Sequence, residues 1–295
     1  MSVVLITGSS TGIGMATALY LSKKGHKVYA SMRSLDRSGE LRSAAASNGF
    51  PVDILQMDVC NEQSVKQAVA QVLQREGRID VLVNNAGIAP IGPLEEVDDA
   101  TVMRVFDTNV FGLLRCTRAV LPSMRQQRSG SIINIGSVAG HIASSCSSTY
   151  AASKFALEGL SESLAQEVKP FGIHVALIKP GFILTPIIEK AIEALPVPEK
   201  SAYPTAVTIA NALFHSAKQT GDPPEMVAAT VEEAMNDRTS RLRYPVGQPA
   251  RAVLAARAAM TDEEWVDLGR HDSFEKYFGE FASRMPPITE AASGS

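Results

Sequence analysis

The sequence predicts an α/β fold, a parallel β-sheet covered by helices on both faces, and three observations carry that reading. Six short β-branched or apolar runs recur along the first 181 residues. Between them lie longer segments whose apolar residues are spaced three and four apart, the helical period. A glycine-rich turn then stands at the first strand-to-helix junction, where such folds place a ligand.

The elements follow in order. "VVLIT" opens the chain as a strand, and a helix is expected over 13–24. "KVYASM" precedes a helix over 36–47, "VDILQMDV" one over 62–75 and "DVLVNNAG" a long one over 98–127. "SIINIGS" leads to a helix over 149–168 and "HVALIKPG" closes the alternation. No repeat, low-complexity tract or Pro/Gly linker divides residues 1–185. Beyond Pro186 the pattern loosens. "EALPVPEKSAYP" is proline-rich, helical stretches follow near 205–218 and 223–236, and "RLRYPVG" is a short strand candidate before a helical tail. The reading is one domain over 1–285, with a helical C-terminal extension over 245–285 and a disordered tail over 286–295.

Composition narrows the function. Hydrophobic residues make up 45% of the 295-residue chain and charged residues 20%, as in ordinary globular proteins. The net charge is −3 with signs interspersed, so nothing favours nucleic acid, and the basic stretch "NDRTSRLR" reads as a solvated face. Cys60, Cys116 and Cys146 show neither CxxC nor Cys/His ligand spacing, which argues against a disulfide framework and against a metal site. A reducing cytoplasm fits best. The chain starts on an apolar strand with no basic region before it, and no apolar run reaches bilayer length, so neither export nor membrane insertion is expected.

Two motifs suggest chemistry. In "STYAASKFALEG", Tyr150 and Lys154 are four residues apart and share a helix face. An ammonium beside a phenol stabilises the phenolate and tunes the pair for acid/base work. The spacing alone equally allows a core tyrosine with an outward-reaching lysine. In "TGSSTGIG", Gly8, Gly12 and Gly14 give GxxxGxG, a tight turn that lets the backbone and a helix N-terminus approach a pyrophosphate.

Taken together, TGxxxGIG, "NNAG" at 84–87, Ser137 and YxxxK at 150–154 resemble the classical short-chain dehydrogenase/reductase family, with Ser137 thirteen residues before Tyr150. The resemblance spans residues 1 to about 186. It implies a Rossmann-like doubly wound sheet, a nicotinamide cofactor and reversible hydride transfer between an alcohol and a carbonyl. It also implies that residues 186–220 form a mobile substrate lid, and that helices 98–127 and 149–168 pair across two-fold axes into a homodimer or homotetramer. The contexts "VYASMR", "GPLEEV" and "YAASKFALEGLSESL" look most like the branch containing estradiol and retinol dehydrogenases.

On that resemblance the catalytic set is Asn109, Ser137, Tyr150 and Lys154. Tyr150 supplies the proton, Lys154 lowers its pKa and grips the nicotinamide ribose, Ser137 orients the substrate oxygen, and Asn109 holds a water leading to Lys154. The cofactor would lie along Gly8, Ser10, Thr11, Gly12, Ile13 and Gly14, then Asp58 and Val59, then Asn85, Ala86 and Gly87. Pro180, Gly181, Ile183 and Thr185 would meet the nicotinamide. Asn84 reads instead as a buried structural amide. An acid usually follows the second strand to hold the ribose hydroxyls of NAD. Here Met32 takes that place and Arg33 follows, which favours the 2′-phosphate of NADP, while nearby Asp36 keeps NAD open.

Ser137, His141, Cys146, Tyr150 and Ile187 are the expected substrate contacts, with His141 and Cys146 as wall rather than catalysts. Ile142, Ile187, Ile188, Ile192, Leu195, Val197, Tyr203 and Phe214 make an apolar surround, which favours a bulky hydrophobic ketone or alcohol such as a steroid or retinoid. The alternatives are an NAD-dependent secondary alcohol dehydrogenase and, from another class, a catalytically silent NADP-binding regulator.

Overall fold

A computed structural model describes residues 1–237 and 239–285, so the expected tail at 286–295 lies outside the described residues. Seven strands make one parallel sheet: β1 Val3–Ile6, β2 Lys27–Met32, β3 Val52–Gln56, β4 Val81–Asn84, β5 Gly130–Ile135, β6 Ile173–Lys179 and β7 Arg243–Pro245. Their order is β3-β2-β1-β4-β5-β6-β7, so the winding reverses between β1 and β4. A crevice opens there, at the carboxyl ends of the strands.

Alternation along each strand explains the two cores. Val4 and Ile6 point to one face with Val28, Ala30 and Val83, beneath α1 (Gly12–Lys23) and α9 (Pro224–Asn236). Val3 and Leu5 point to the other with Tyr29, Leu82 and Ile132, beneath α3 (Glu62–Glu76) and α5 (Gly112–Gln127). Because both faces are buried, these strands are apolar throughout rather than at alternate positions. Local signals set the helix ends. Asn61 Oδ1 accepts from Ser64 N at the start of α3, and Gly77 ends it in the left-handed conformation.

Two expectations change in detail. The helix read over 36–47 is a short 3₁₀ turn, Leu35–Ser38, followed by α2 (Gly39–Asn48). The one read over 98–127 is α4 (Asp99–Phe106), a π-type turn Asp107–Phe111, then α5. Asn109 sits in that turn. Its side chain serves the neighbouring loop instead of the helix, as a poor helix former at a bend does. The strand candidate "RLRYPVG" is β7, with Tyr244 buried beside β6.

After α6 (Ser148–Val168) and β6, the chain crosses the crevice mouth as α7 (Pro186–Ala194) and α8 (Pro204–Thr220). It returns after β7 as α10 (Gly247–Ala258), α11 (Asp262–Asp267) and α12 (Phe274–Ala282). Among the described residues, no helix is long and apolar enough to cross a membrane. No group of three or more His, Cys, Asp or Glu there could hold a metal ion.

Candidate active site

One cleft of about 1390 Å³ runs along the carboxyl ends of the strands. A single small ligand occupies roughly 300 to 1000 Å³, so this volume admits a dinucleotide and a second molecule together.

At its β1 end, the turn Thr7–Gly14 leaves no room for side chains at its glycines. Gly8 has φ +69, and a Cβ there would lie 2.8 Å from Ala86 Cα. Gly12 has φ +59, and a Cβ on Gly14 would lie 2.5 Å from both Asn85 Nδ2 and the Gly8 carbonyl oxygen. The first turn of α1 carries no acidic residue and no side-chain cap, so its N–H groups remain available to an anion. Thr7 Oγ1 accepts from Asn85 N and Ala86 N, both at 2.9 Å, while Asn85 Nδ2 donates to Thr7 O and Gly8 O at 2.8 and 3.0 Å. Asn85 is one of the expected cofactor contacts. It lines the cleft, and its amide group also holds the glycine turn to the end of β4. Asn84 is structural, donating to Asn134 Oδ1 at 2.9 Å and to Thr117 Oγ1 at 3.1 Å.

Ser10, Thr11, Ile13, Arg33, Asp58, Val59, Ala86 and Gly87 line the same half of the cleft. So do Ser34 and Arg37, which sequence reading missed, although Arg37 stands four residues beyond Arg33. Asp36 does not line the cleft. It accepts from Ser34 Oγ at 3.2 Å, while Arg33 and Arg37 line the wall.

At the β5 end, Ser137, whose Oγ accepts from Ala139 N at 3.0 Å, lies beside Tyr150 and favours a lower phenol pKa, but burial, which raises it, dominates. Lys154, only 7% exposed, donates from Nζ to Ile135 O at 2.9 Å and lies 5.7 Å from the Tyr150 ring centre. Burial lowers its pKa to about 8. The Lys154 ammonium is turned to a backbone carbonyl, and burial dominates the shifts of both groups.

Asn109 lies behind this pair. Its Oδ1 accepts from Ile88 N at 2.9 Å, and its Nδ2 donates to Ile88 O at 2.9 Å and to Ser153 Oγ at 3.0 Å. That side chain is committed to protein, so any water it serves must use the backbone carbonyls that the π-type turn loosens. Pro180, Gly181, Ile183, Thr185 and Ile187 line the nearby wall.

His141 and Cys146 do not line the cleft. His141 Nδ1 faces Lys179 Nζ at 2.6 Å and Glu158 Oε1 at 3.1 Å, drawn outward to a charge cluster completed by Arg243 at 2.7 Å from Glu158. Cys146 is buried with Ile91, Ala191, Val207 and Ala210 behind the wall, and burial pushes its thiol up to about 11, which leaves it a poor nucleophile. Of the apolar surround, Ile142, Ile187, Ile188 and Phe214 reach the cleft, whereas Ile192, Leu195, Val197 and Tyr203 do not.

The far wall comes from a part of the chain that sequence reading left without a role. Trp265, Phe274, Tyr277, Phe278 and Phe281 all line it. Their spacing at 274, 277, 278 and 281 is one face of a helix and was the available signal. Trp265 Nε1 donates to Ala143 O at 3.0 Å and joins this extension to the loop that follows Ser137.

A cradle closed to any Cβ, free helix N–H groups and two cations fit a dinucleotide phosphate, and the comparisons with known proteins agree. A family model described as short chain dehydrogenase matches residues 2–195. Retinol dehydrogenase 8 of Bos taurus is 35% identical over 86% of this chain and 84% of its own length. The 17-beta-hydroxysteroid dehydrogenase type 1 of Homo sapiens is 39% identical over 82% and 76%. Among solved structures, a short-chain dehydrogenase from Streptomyces avermitilis superposes with a TM-score of 0.75 at 34% identity, covering 92% of this chain and 99% of its own. Other structural neighbours have been solved with NAD+ and with NADP, so a nicotinamide dinucleotide is the cofactor class. The chain belongs to the short-chain dehydrogenase family, oxidoreductases that act on CH–OH groups.

Proposed function

We propose that this chain interconverts a bulky hydrophobic ketone or aldehyde and its alcohol, with NADPH as the preferred cofactor. One observation carries the reading: the Ser137 and Tyr150 hydroxyls open onto a cleft whose far wall is aromatic and apolar. A sugar or a phosphorylated metabolite would leave its polar groups unpaired against that wall. The relatives named for retinol and for 17-beta-hydroxysteroids point the same way.

When bound, NADPH supplies the hydride. The rest falls to residues of this chain. Tyr150, kept neutral by burial, gives its proton to the substrate oxygen as charge develops there. Ser137 donates a second hydrogen bond to that oxygen and fixes its position. The Lys154 ammonium stabilises the phenolate left behind. Gly8, Gly12 and Gly14 admit the pyrophosphate, and the α1 N-terminus binds it. Residues 186–220 act as a lid, its loop held where Glu96 accepts from Ser201 Oγ and Ala202 N. NADPH consumption across ketones of increasing size tests the reading. Efficiency is expected to rise from monocyclic to polycyclic substrates, and turnover confined to sugars or phosphorylated ketones would contradict it.

Arg33 and Arg37 set the preference for NADPH over NADH. A charge-assisted hydrogen bond contributes roughly 1.5 to 3 kcal/mol, so Arg33→Ala is expected to narrow the ratio of catalytic efficiencies about 10- to 100-fold. Adding Arg37→Ala should narrow it further. An unchanged ratio in the double variant would remove both guanidiniums from the account.

The helices α4 and α6 and the turn at 107–111 also leave Met103, Phe111 and Phe155 exposed, more apolar surface than a monomer needs there. A second copy covering them makes a homodimer or homotetramer. Sedimentation of a monomer at micromolar concentration would contradict that assignment.

A further inference from the structure

Lys179 closes β6 and is only 2% exposed, a burial that lysine rarely accepts. Its Nζ lies 2.8 Å from Glu158 Oε1 and 2.6 Å from His141 Nδ1. Glu158 is itself 8% exposed, and its Oε2 accepts from Arg243 Nε at 2.7 Å, while Arg243 Nη2 donates to Glu162 at 2.6 Å. Burial disfavours the Glu158 carboxylate, but Lys179 and Arg243 outweigh it and hold its pKa below the usual carboxylate value. A buried ion pair contributes little stability over an apolar pair of the same size, because desolvation offsets the attraction. The reason for this one lies in its position.

Neither Lys179 nor Glu158 lines the cleft, yet both adjoin its catalytic end. Glu158 stands one turn beyond Lys154 on α6 and two beyond Tyr150, so all three share one face. Lys179 sits between Ile178 and Pro180, whose carbonyls accept from Gly136 N at 2.8 Å and from Val138 N at 2.9 Å. The end of β6 therefore holds Ser137 by the residues on both sides of it. The turn Val138–Gly140 then lays the chain directly on α6: a Cβ on Gly140 would lie 2.9 Å from Lys154 O and 3.2 Å from Glu158 Cγ. The Ser137 turn, the end of β6 and the helix of Tyr150 meet at one ion pair.

We propose that Lys179 and Glu158 are positioning residues for the reaction: their ion pair clamps the end of β6, and with it Ser137, against α6, and so sets the distance between the Ser137 and Tyr150 hydroxyls. Both act through Ser137 and touch neither substrate nor cofactor. This rests on reading those two hydroxyls as the groups that hold the substrate oxygen.

A cycle of variants of the full chain, assayed with NADPH and a polycyclic ketone, tests the clamp. Lys179→Met combined with Glu158→Leu replaces the pair by apolar side chains of similar size, which the fold should tolerate, with thermal unfolding as the check. Glu158→Gln, which keeps the shape of the side chain, carries the same measurement if the double variant does not fold. The kcat is expected to fall about 10- to 100-fold with NADPH affinity unchanged, the cost of misplacing a group by about an ångström. In a Ser137→Ala background the same changes should cost less than about 2-fold more, because the group they position is gone. The pH profile gives a second readout. Ser137 favours a lower Tyr150 pKa, and reduction needs the protonated phenol. Displacing Ser137 should therefore move the alkaline fall in kcat to higher pH, in the same direction as Ser137→Ala. A folded pair variant with the wild-type kcat, a loss that multiplies with that of Ser137→Ala, or an unmoved alkaline limb would overturn the assignment. If Ser137→Ala is slow and the pair variant is not, only the clamp is wrong. If Ser137→Ala keeps the wild-type rate, the reading of the active site falls and the clamp falls with it.

Discussion

Replacing Tyr150 by Phe should lower kcat by about two to four orders of magnitude, the range that a positioned general acid contributes. The same change should leave NADPH binding nearly intact. Phenylalanine keeps the ring that packs against the buried cluster of Ile91, Cys146, Ala191, Val207 and Ala210 and removes only the hydroxyl beside Ser137. Neither His141 nor Cys146 can take over. The His141 ring is drawn to Lys179 and Glu158, and the Cys146 thiol is buried behind the wall. Rate and cofactor affinity measured on one preparation decide the matter. A variant that keeps a third of its rate, or loses its cofactor, would assign Tyr150 another role.

Lys154→Met should destroy activity and stabilise the cofactor-free protein. The Lys154 pKa is about 8 in the folded chain against an ordinary 10.5, because burial penalises the ammonium. Between these values the unfolded chain binds more protons than the folded one, so stability rises with pH across that window. Below pH 8 the folded state bears the whole penalty, about 3 kcal/mol for a shift of this size. Methionine fills a similar volume without charge but leaves Ile135 O without its donor, a loss of about 1 kcal/mol. The net gain near neutral pH is then about 2 kcal/mol. Urea unfolding of both proteins from pH 7 to pH 11 checks this. The variant's advantage should shrink as pH rises from 8 towards 10.5, and a variant less stable than wild type at pH 7 would show that the ammonium is not costly. Such a cost is what a functional residue placed for chemistry imposes on its fold.

Much of this architecture is legible in the sequence because it depends on local patterns. The strands are apolar on both faces, the helices keep their period, and the glycines at 8, 12 and 14 stand where a Cβ would collide with the backbone or with Asn85. YxxxK is legible for the same reason, since one helical turn fixes its geometry.

What is not legible in the sequence depends on long-range packing. Nothing near Asn85 in sequence announces that its amide reaches across to Thr7 and Gly8. His141 was placed in the cleft because its loop is there, but the buried Lys179 and Glu158, distant in sequence, draw its ring to the other side. The aromatic residues of α12 were passed over because their helix becomes a substrate wall only when the chain returns across the sheet after β7. The pKa of Lys154 belongs to the same class, since burial is a property of the folded whole.

The central claim is that the Ser137, Tyr150 and Lys154 end of the cleft moves a hydride to an apolar carbonyl. The most direct measurement uses NADPH deuterated at the transferable position of its nicotinamide ring and a polycyclic ketone, with the product analysed by mass spectrometry after a single turnover. The account predicts one deuterium on the carbinol carbon from the wild type and none from Tyr150→Phe. Recovery of unlabelled alcohol, or of unchanged ketone from wild-type protein that binds both partners, would contradict it.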